Sequence, residues 1–188
     1  GIDKVRYLSS INKNLSIHAH LMVQNPMKKN NFNQSIIDQY IEAGISRIGF
    51  HSRSFNSENE LSEAIKYVQK FKCIPGIIIE TDFNEIEEAW NLIKKYSLNW
   101  IIIMGVPIGY GGQLFVPNTL EKIKFFREKS IEKDYDLDIE VDGGLNFENL
   151  NNCFLNGANV LAGWSIIKSK DSEEIVNKYK KIEKIIGQ

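Results

Sequence analysis

Short stretches rich in apolar residues are followed, one after another, by segments whose apolar residues recur every three or four positions. A period of two is typical of a strand, and a period near 3.6 is typical of a helix. The predicted strands cover residues 16–23, 46–51, 76–80, 99–104, 137–142 and 158–162. The predicted helices cover residues 3–10, 33–43, 58–71, 84–96, 118–129, 147–156 and 172–186, and the four prolines lie in loops or at element ends.

This order is one helix followed by six strand–helix units, which predicts an α/β fold with a parallel sheet and helices outside it. A doubly wound sheet and a (β/α)8 TIM barrel are the two standard outcomes. No G-x-G-x-x-G follows an early strand, so the dinucleotide-binding sheet is disfavoured. If the fold is a barrel, the first strand–helix unit and the second strand are absent from this chain.

Composition narrows the class of protein. The 188 residues, 43% of them hydrophobic, predict a single domain over residues 1–188, and the net charge of -1 favours neither a nucleic-acid nor a membrane partner. The lysines alternate with acidic residues on predicted solvated helix faces. Cys73 and Cys153 form no C-x-x-C pattern, and no apolar run approaches the roughly 18 residues of a membrane span. We therefore expect a cytoplasmic protein.

The strand over residues 137–142 ends in a carboxylate that runs directly into two glycines, Asp142-Gly143-Gly144. Ile139 and Val141 share one parity of this strand, which places Asp142 on the other face. Glycines let a backbone turn tightly and present N–H groups to an anion. The motif predicts acid–base or metal chemistry on a phosphorylated small molecule, with an ordinary strand-end turn as the alternative.

Polar residues recur on one parity of the other strands, and this parity carries all three histidines of the chain, His18, His20 and His51. Imidazole nitrogen and carboxylate oxygen suit a divalent cation, so His20 and Asp142 are candidate metal ligands. Histidines hydrogen-bonded inside a polar barrel are an equal alternative, and we favour it for His51. Because barrel chemistry sits at the carboxyl ends of strands, the candidate residues are His20, Met22, His51, Glu80, Met104 and Asp142.

Glycine-bearing loops follow the last three predicted strands. They contain Gly109, Gly111 and Gly112 in the first loop, Gly143 and Gly144 in the second, and Gly163 with Ser165 in the third. The third loop lies where barrels often bind phosphate, near a helix N-terminus. Each loop alone is compatible with a simple turn, but together they favour a phosphate cradle.

Four segments together resemble the ribulose-phosphate 3-epimerase family, and the similarity extends over the whole chain. They are His20–Val23 followed by Asn25-Pro26, Met104 with Gly109–Gln113, Ile139–Gly144, and Gly157–Val160. The segments occur in the order and spacing of the family.

The resemblance implies a (β/α)8 barrel that interconverts D-ribulose 5-phosphate and D-xylulose 5-phosphate. It implies one divalent metal, zinc first and iron, manganese or cobalt otherwise, held by two His and two Asp, of which His20 and Asp142 are in this chain. The other two ligands would precede Gly1. Asp142 would be one member of a pair of proton-transferring carboxylates, and Met22 and Met104 would line the enediolate. Self-association is compatible with such a barrel.

The sequence also departs from the family. His18 stands where an acidic residue is usual, Ser52-Arg53-Ser54 lacks the usual Glu, Glu80-Thr81-Asp82 replaces an Asn-Pro-like turn, and Trp164 replaces a small residue. Trp164 and Arg53 motivate one alternative, a related epimerase acting on another sugar phosphate. A barrel that has lost its active site is a second alternative, and a metal-dependent hydrolase is a weaker third.

Overall fold

The computed structural model describes residues 1–110 and 112–187. The strands are β1 (His18–Leu21), β2 (Arg47–His51), β3 (Ile74–Ile79), β4 (Trp100–Met104), β5 (Asp138–Asp142) and β6 (Val160–Ala162). The helices are α1 (Ile2–Ile11), α2 (Ile36–Glu42), α3 (Glu58–Lys70), α4 (Ile86–Lys95), α5 (Thr119–Glu132), α6 (Leu150–Leu155), α7 (Trp164–Ile167) and α8 (Ser172–Ile186). A 3-10 turn, Ser52–Ser54, follows β2.

The six strands form one sheet in chain order, β1 to β6. The pairs β1–β2, β2–β3 and β5–β6 are parallel. Each strand is followed by a helix, so the predicted α/β alternation is confirmed. A barrel of eight such units stays a prediction.

The chain groups into two compact units. The first unit comprises Gly1–Ile78 and Asn91–Trp100, and the second comprises Ile79–Trp90 and Ile101–Gln188. The prediction of a single domain is not tested by this grouping. None of the helices within the described residues has both the length and the apolar character that a membrane crossing requires.

In the first unit, α3 buries a stripe formed by Leu61, Ile65 and Val68, as its helical spacing predicts. Ser57 starts this helix, because its side chain accepts a hydrogen bond from the backbone N–H of Glu60. Strand β1 alternates between half-buried histidines and buried aliphatic residues. The predicted separation of a polar and an aliphatic face is therefore confirmed on this strand.

In the second unit, the core is built from β5, α5 and α6. Ile139 and Val141 of β5 are fully buried, as are Ile123 and Phe126 of α5. The start of α6 lies later than predicted, at Leu150, because the Asn146 side chain accepts hydrogen bonds from the backbone N–H groups of residues 148 and 149. Such an Asx turn competes with the first turn of a helix.

One strand starts earlier than predicted, and one prediction on local structure was wrong. Strand β3 begins at Ile74 rather than Gly76, so Pro75 is its second residue and lies at an element end, as predicted. A proline is tolerated near the start of a strand, where one missing N–H removes a single ladder hydrogen bond. Lys122 lies in the core of the second unit rather than on a solvated face, and only 5% of its surface is exposed.

Candidate active site

A pair of histidines lies at the carboxyl ends of β1 and β2 in the first unit. The Nε2 atoms of His20 and His51 are 2.7 Å apart, which is a hydrogen bond between the two imidazoles. The ring centroids are 4.8 Å apart and the ring planes are tilted by 37°. His51 is buried, with 4% of its surface exposed, whereas His20 is half-buried. The prediction that His51 is hydrogen-bonded in the interior is confirmed.

The strand register explains how these rings meet. His20 lies opposite Gly49 of β2, and Gly49 lies opposite Gly76 of β3, so two neighbouring strands carry no side chain at the level of His20. A Cβ added to Gly76 would lie 2.5 Å from Cε3 of Trp100, whose indole fills this space. His51 lies two residues beyond Gly49 on the same parity, so its ring can reach His20.

A second layer lies towards the amino ends of the same strands. His18 is opposite Arg47 in the register, and its ring meets the edge of Trp100 at a centroid distance of 5.2 Å. The Arg47 guanidinium lies 5.6 Å from the centroid of the same indole. His18 also lies within 3.1 Å of the Ser16 hydroxyl. In this layer the Trp100 indole is thus in contact with both the His18 ring and the Arg47 guanidinium.

The loops that follow β1 and β2 are joined by hydrogen bonds. The Asn25 backbone N–H donates to the Ser54 carbonyl at 2.8 Å, and the Asn56 amide donates to the Asn25 side-chain oxygen at 3.1 Å. Asn25 has a φ of 50°, in the left-handed region that Asn tolerates. Met22, a predicted substrate contact, lies in this loop and exposes 55% of its surface.

In the second unit, Asp142 ends β5 as predicted and is half-buried. Gly143 and Gly144 follow with φ values of 96° and 68°, a backbone that favours glycine. The Gly105 N–H donates to the Asp142 carbonyl at 2.7 Å. A Cβ on Gly105 would lie 2.2 Å from the Gly143 carbonyl oxygen. Close backbone packing of two loops thus holds the main chain at Asp142, the last residue of β5.

The loop after β4 carries three of the predicted phosphate-binding glycines. Gly109 and Gly112 have φ values of 140° and 84°, whereas Gly111 lies outside the described residues. The Gln113 side chain donates to the carbonyls of Pro107 and Tyr110, each at 2.8 Å. Gln113 therefore closes this loop on itself. Met104, at the end of β4, is buried.

The segment after β6 is tied to the Asp142-Gly143-Gly144 turn. Gly163 caps α7, and Ser165 lies in the first turn of that helix rather than in the predicted loop. The Ser165 hydroxyl donates to the Leu145 carbonyl at 2.7 Å, which holds Gly163 and Ser165 beside that turn. Trp164, the residue that departs from the family pattern, starts α7 and exposes 70% of its surface. The second unit thus brings Gly143, Gly144 and Ser165 together.

Lys122 was missed as a site-supporting residue. Its ammonium group donates to the carbonyls of Glu80 and Thr81 at 2.7 Å and 2.8 Å. Burial lowers the pKa of Lys122, and the nearby Asp82 and Glu80 carboxylates oppose this shift. The two hydrogen bonds fix the chain that leaves the carboxyl end of β3. The Thr119 hydroxyl, one turn earlier, donates to the Met104 carbonyl at 3.1 Å.

No three His, Cys, Asp or Glu side chains within residues 1–110 and 112–187 are grouped so that they could hold a metal ion. The resemblance places only two of four ligands in this chain. Metal ligation by His20 and Asp142, and the catalytic role of Asp142, stay predictions.

Comparison with known proteins identifies relatives over most of the chain. The sequence profile described as "Ribulose-phosphate 3 epimerase family" matches residues 1–167. The ribulose-phosphate 3-epimerase of Chlamydia muridarum is 30% identical over 169 residues, which cover 88% of this chain and 68% of that protein. The ribulose-phosphate 3-epimerase of Aquifex aeolicus is 28% identical over 180 residues, which cover 93% of this chain and 74% of that protein.

Solved structures with the same fold are more distant in sequence. The orotidine 5'-monophosphate decarboxylase from Sulfolobus solfataricus has a TM-score of 0.65 at 17% identity, over 100% of this chain and 80% of that one. The 3-keto-L-gulonate-6-phosphate decarboxylase from Vibrio cholerae has a TM-score of 0.63 at 13% identity, over 98% of this chain and 80% of that one. At these identities the likeness shows a TIM-barrel-like fold and nothing about activity.

Proposed function

The chain belongs to the ribulose-phosphate 3-epimerase family and is an isomerase, and from this premise we propose that it inverts C3 of a ketose phosphate. The proposed reaction interconverts D-ribulose 5-phosphate and D-xylulose 5-phosphate. The observation that carries the proposal is the place of Asp142 at the carboxyl end of β5, where it leads into two left-handed glycines.

The reaction needs a base and an acid on opposite faces of C3. The C3 proton is weakly acidic because it is next to a ketone, and its removal gives an enediolate. We assign Asp142 as one of the two carboxylates, which takes the proton from one face or returns a proton to it. A rigid strand end suits this role, because proton transfer needs the carboxylate within hydrogen-bond reach of the carbon-bound proton. The second carboxylate is assigned to no residue of this chain.

The donor atoms of His20 and Asp142 are suited to a divalent metal, and zinc is the metal we propose. Imidazole nitrogen from His20 and carboxylate oxygen from Asp142 are both common zinc ligands. A further observation supports His20: its second ring nitrogen is engaged by a buried partner, His51, and ligating histidines are usually oriented in this way. When bound, the metal would supply Lewis-acid stabilisation of the negative charge that develops on the substrate oxygens.

The glycine-bearing loops of the second unit are assigned to the phosphate group. Gly143, Gly144, Gly163 and Ser165 are tied into one cluster by the Ser165–Leu145 hydrogen bond. Backbone N–H groups on tight glycine turns are suited to bind an anion without a charged side chain. Gly109 and Gly112 contribute from the loop after β4. Met22 and Met104 are assigned to the apolar lining around the reacting carbons.

The direct test is the exchange of the C3 proton with solvent. The complete, metal-loaded protein is incubated with D-ribulose 5-phosphate in deuterium oxide, and the products are followed by NMR. We expect D-xylulose 5-phosphate that carries deuterium at C3. The absence of both deuterium incorporation and the epimer would contradict the proposal.

A second candidate is a related epimerase that acts on another sugar phosphate. Trp164 favours it, because an indole with 70% of its surface exposed starts the helix that follows the proposed phosphate loop. A panel of ketose phosphates of different chain length, assayed for epimerisation at C3, separates the two candidates. A clear preference for a substrate other than ribulose 5-phosphate would favour the second.

A further inference from the structure

We infer that Thr119 is a positioning residue for Asp142 and that it acts through a single peptide group. The Thr119 hydroxyl donates to the Met104 carbonyl at 3.1 Å. The N–H of the same peptide group belongs to Gly105 and donates to the Asp142 carbonyl at 2.7 Å. One peptide group thus connects the first residue of α5 to the last residue of β5. The inference rests on the proposed function, because it takes Asp142 as a proton-transferring carboxylate.

The planarity of the peptide group makes this connection rigid. The carbonyl and the N–H of a trans peptide group lie in one plane, so a hydrogen bond that orients one of them also orients the other. Hydrogen bonds arranged in such a chain also polarise one another. Removal of the Thr119 hydroxyl should therefore weaken the hydrogen bond that Gly105 donates to Asp142.

Thr119 is well placed to act as a fixed donor. None of its surface is exposed, so water competes little for the hydroxyl. One turn later in α5, the ammonium group of Lys122 donates to the carbonyls of Glu80 and Thr81 at 2.7 Å and 2.8 Å. Helix α5 is thus attached to the chain that leaves β3 as well as to the end of β4.

The main chain of Asp142 is held on both sides of its Cα. Within the sheet, Asp142 lies opposite Ala162 of β6. On the side of the following turn, its carbonyl accepts the hydrogen bond from Gly105. The direction of the Cα–Cβ bond follows from the backbone, so a displaced carbonyl would move the point from which the carboxylate extends. A misplacement of about 1 Å at a reacting group can lower a rate about 100-fold.

The first test measures kcat and KM for D-ribulose 5-phosphate with the complete, metal-loaded protein, at a temperature where every variant is folded. Thr119→Val keeps the shape of threonine without the hydroxyl, whereas Thr119→Ser keeps the hydroxyl. We expect Thr119→Val to lower kcat about 10-fold with little change in KM, and Thr119→Ser to retain most of the wild-type kcat. Thr119→Ala, which also lacks the hydroxyl, replaces Thr119→Val if the latter does not fold.

Ser130→Ala is the matched control. It removes another buried hydroxyl of α5, which donates to the Arg127 carbonyl at 2.9 Å in the last turn of the helix, and it should keep the wild-type kcat. A wild-type kcat in Thr119→Val, or an equal loss in Thr119→Val and Ser130→Ala, would overturn the inference and leave the epimerase proposal standing. An inactive wild type would instead overturn the proposed function, and the catalytic part of this inference with it.

The second test needs no substrate and follows the hydrogen exchange of the Gly105 N–H by NMR. We expect this amide to exchange about 3–10-fold faster in Thr119→Val than in wild type, as for the weakening of one hydrogen bond. The Asn159 N–H, which donates to the Ile139 carbonyl at 3.1 Å in the same unit, should keep its rate. An equal acceleration of both amides would indicate general destabilisation and would overturn the inference.

Discussion

The two units place different kinds of group at the carboxyl ends of their strands. The first unit presents ring side chains, and the His20–His51 hydrogen bond joins two neighbouring strands directly. The second unit presents backbone: Gly105 packs against the Gly143 carbonyl, and its N–H donates to the Asp142 carbonyl. At these strand ends, a contact between two side chains thus characterises the first unit, whereas close main-chain packing around Asp142 characterises the second.

This difference bears on what each region tolerates. A side chain that acts by hydrogen bonding can be replaced by another of similar reach, so changes in the first unit should alter chemistry before they alter folding. A glycine against a carbonyl has no substitute, because any Cβ enters occupied space. Changes at the turns of the second unit should therefore lower the free energy of unfolding first. Asp142 is the exception, because it is the one side chain of its turn to which we assign chemistry.

The largest expected effect is on activity, from Asp142→Asn. Removal of a general acid–base should lower the rate of C3 proton exchange by about 10²–10⁴-fold. The amide keeps the shape of the carboxylate, so the unfolding transition should move little. The measurement is deuterium incorporation at C3 under saturating ketose phosphate.

The control for this variant lies on the same strand. Asp138, at the amino end of β5, accepts a hydrogen bond from the Asn159 amide at 2.8 Å. Barrel chemistry is confined to the carboxyl ends of the strands, so Asp138→Asn should retain wild-type exchange. Equal losses in the two variants would show that charge on β5 matters in general and that the position of Asp142 does not.

Several of the elements that form the two units were predicted from the sequence. Helix α8 was predicted over residues 172–186 and begins and ends there, because polar caps and apolar spacing agree along its length. Strand β5 and its Asp-Gly-Gly ending were also predicted, since a parity pattern and two glycines are local signals. The parity of the histidines placed them correctly on one face.

The rest depends on distances between segments far apart in the chain. The contact between the Nε2 atoms of His20 and His51 follows from the register of β1 against β2, and the sequence of neither strand encodes that register. Lys122 was assigned to solvent because charged residues surround it. Its spacing from Thr119 and Phe126, three residues before and four after, matches the buried stripe of α5 and could have indicated burial.

The next largest effect is on stability, from Gly105→Ala. The new Cβ would lie 2.2 Å from the Gly143 carbonyl oxygen, so one of the two loops must move. We expect the free energy of unfolding to fall by about 3 kcal/mol, at the upper end of typical overpacking costs. Urea denaturation followed by circular dichroism measures the change.

Gly112→Ala separates steric clash from backbone strain. Gly112 has a φ of 84°, but a Cβ there would meet no atom within 4 Å. Only the left-handed backbone then opposes alanine, at about 1–2 kcal/mol. If Gly112→Ala lowers the free energy of unfolding more than Gly105→Ala does, close main-chain packing is not the main source of sensitivity to substitution in the second unit.

A smaller effect is expected from Lys122→Met, which leaves the Glu80 and Thr81 carbonyls without their ammonium donor. We expect a loss of about 2 kcal/mol, since buried carbonyls that lose a partner are costly while removal of a buried charge offsets part of the cost. Lys122→Met removes two hydrogen bonds but forces no backbone to move, so its cost should be lower than that of Gly105→Ala.

The pH dependence of the free energy of unfolding tests whether the buried charge of Lys122 affects stability. Because burial lowers the pKa of Lys122, the unfolded chain binds more protons between that lowered pKa and the unfolded value of about 10.4. The wild type should therefore gain stability as the pH rises through this window, and Lys122→Met should lack that gain. Parallel stability curves for the two proteins in the pH range just below about 10.4 would contradict the charge burial described here.

A smaller effect than that of Lys122→Met is expected from Tyr67→Phe in the first unit. The Tyr67 hydroxyl donates to Asp38 at 2.6 Å. Burial acts to raise the pKa of Asp38, but the hydrogen bonds from Tyr67 and Ser35 together outweigh it and the pKa is lowered. A lowered carboxyl pKa gives stability that is present above the unfolded value of about 3.9 and is lost as the pH falls through the folded pKa. We expect Tyr67→Phe to cost about 1.5 kcal/mol at neutral pH.

Below about pH 3.9, the difference between wild type and Tyr67→Phe should shrink, because a protonated Asp38 accepts a weaker hydrogen bond. Urea midpoints measured across this range test the sign. Tyr7→Phe is the matched control, since Tyr7 exposes 65% of its surface and should change stability by less than about 0.5 kcal/mol. If Tyr67→Phe lowers the free energy of unfolding as much as Gly105→Ala does, side-chain hydrogen bonds in the first unit are as sensitive to substitution as main-chain packing in the second. This result would contradict the contrast between the units.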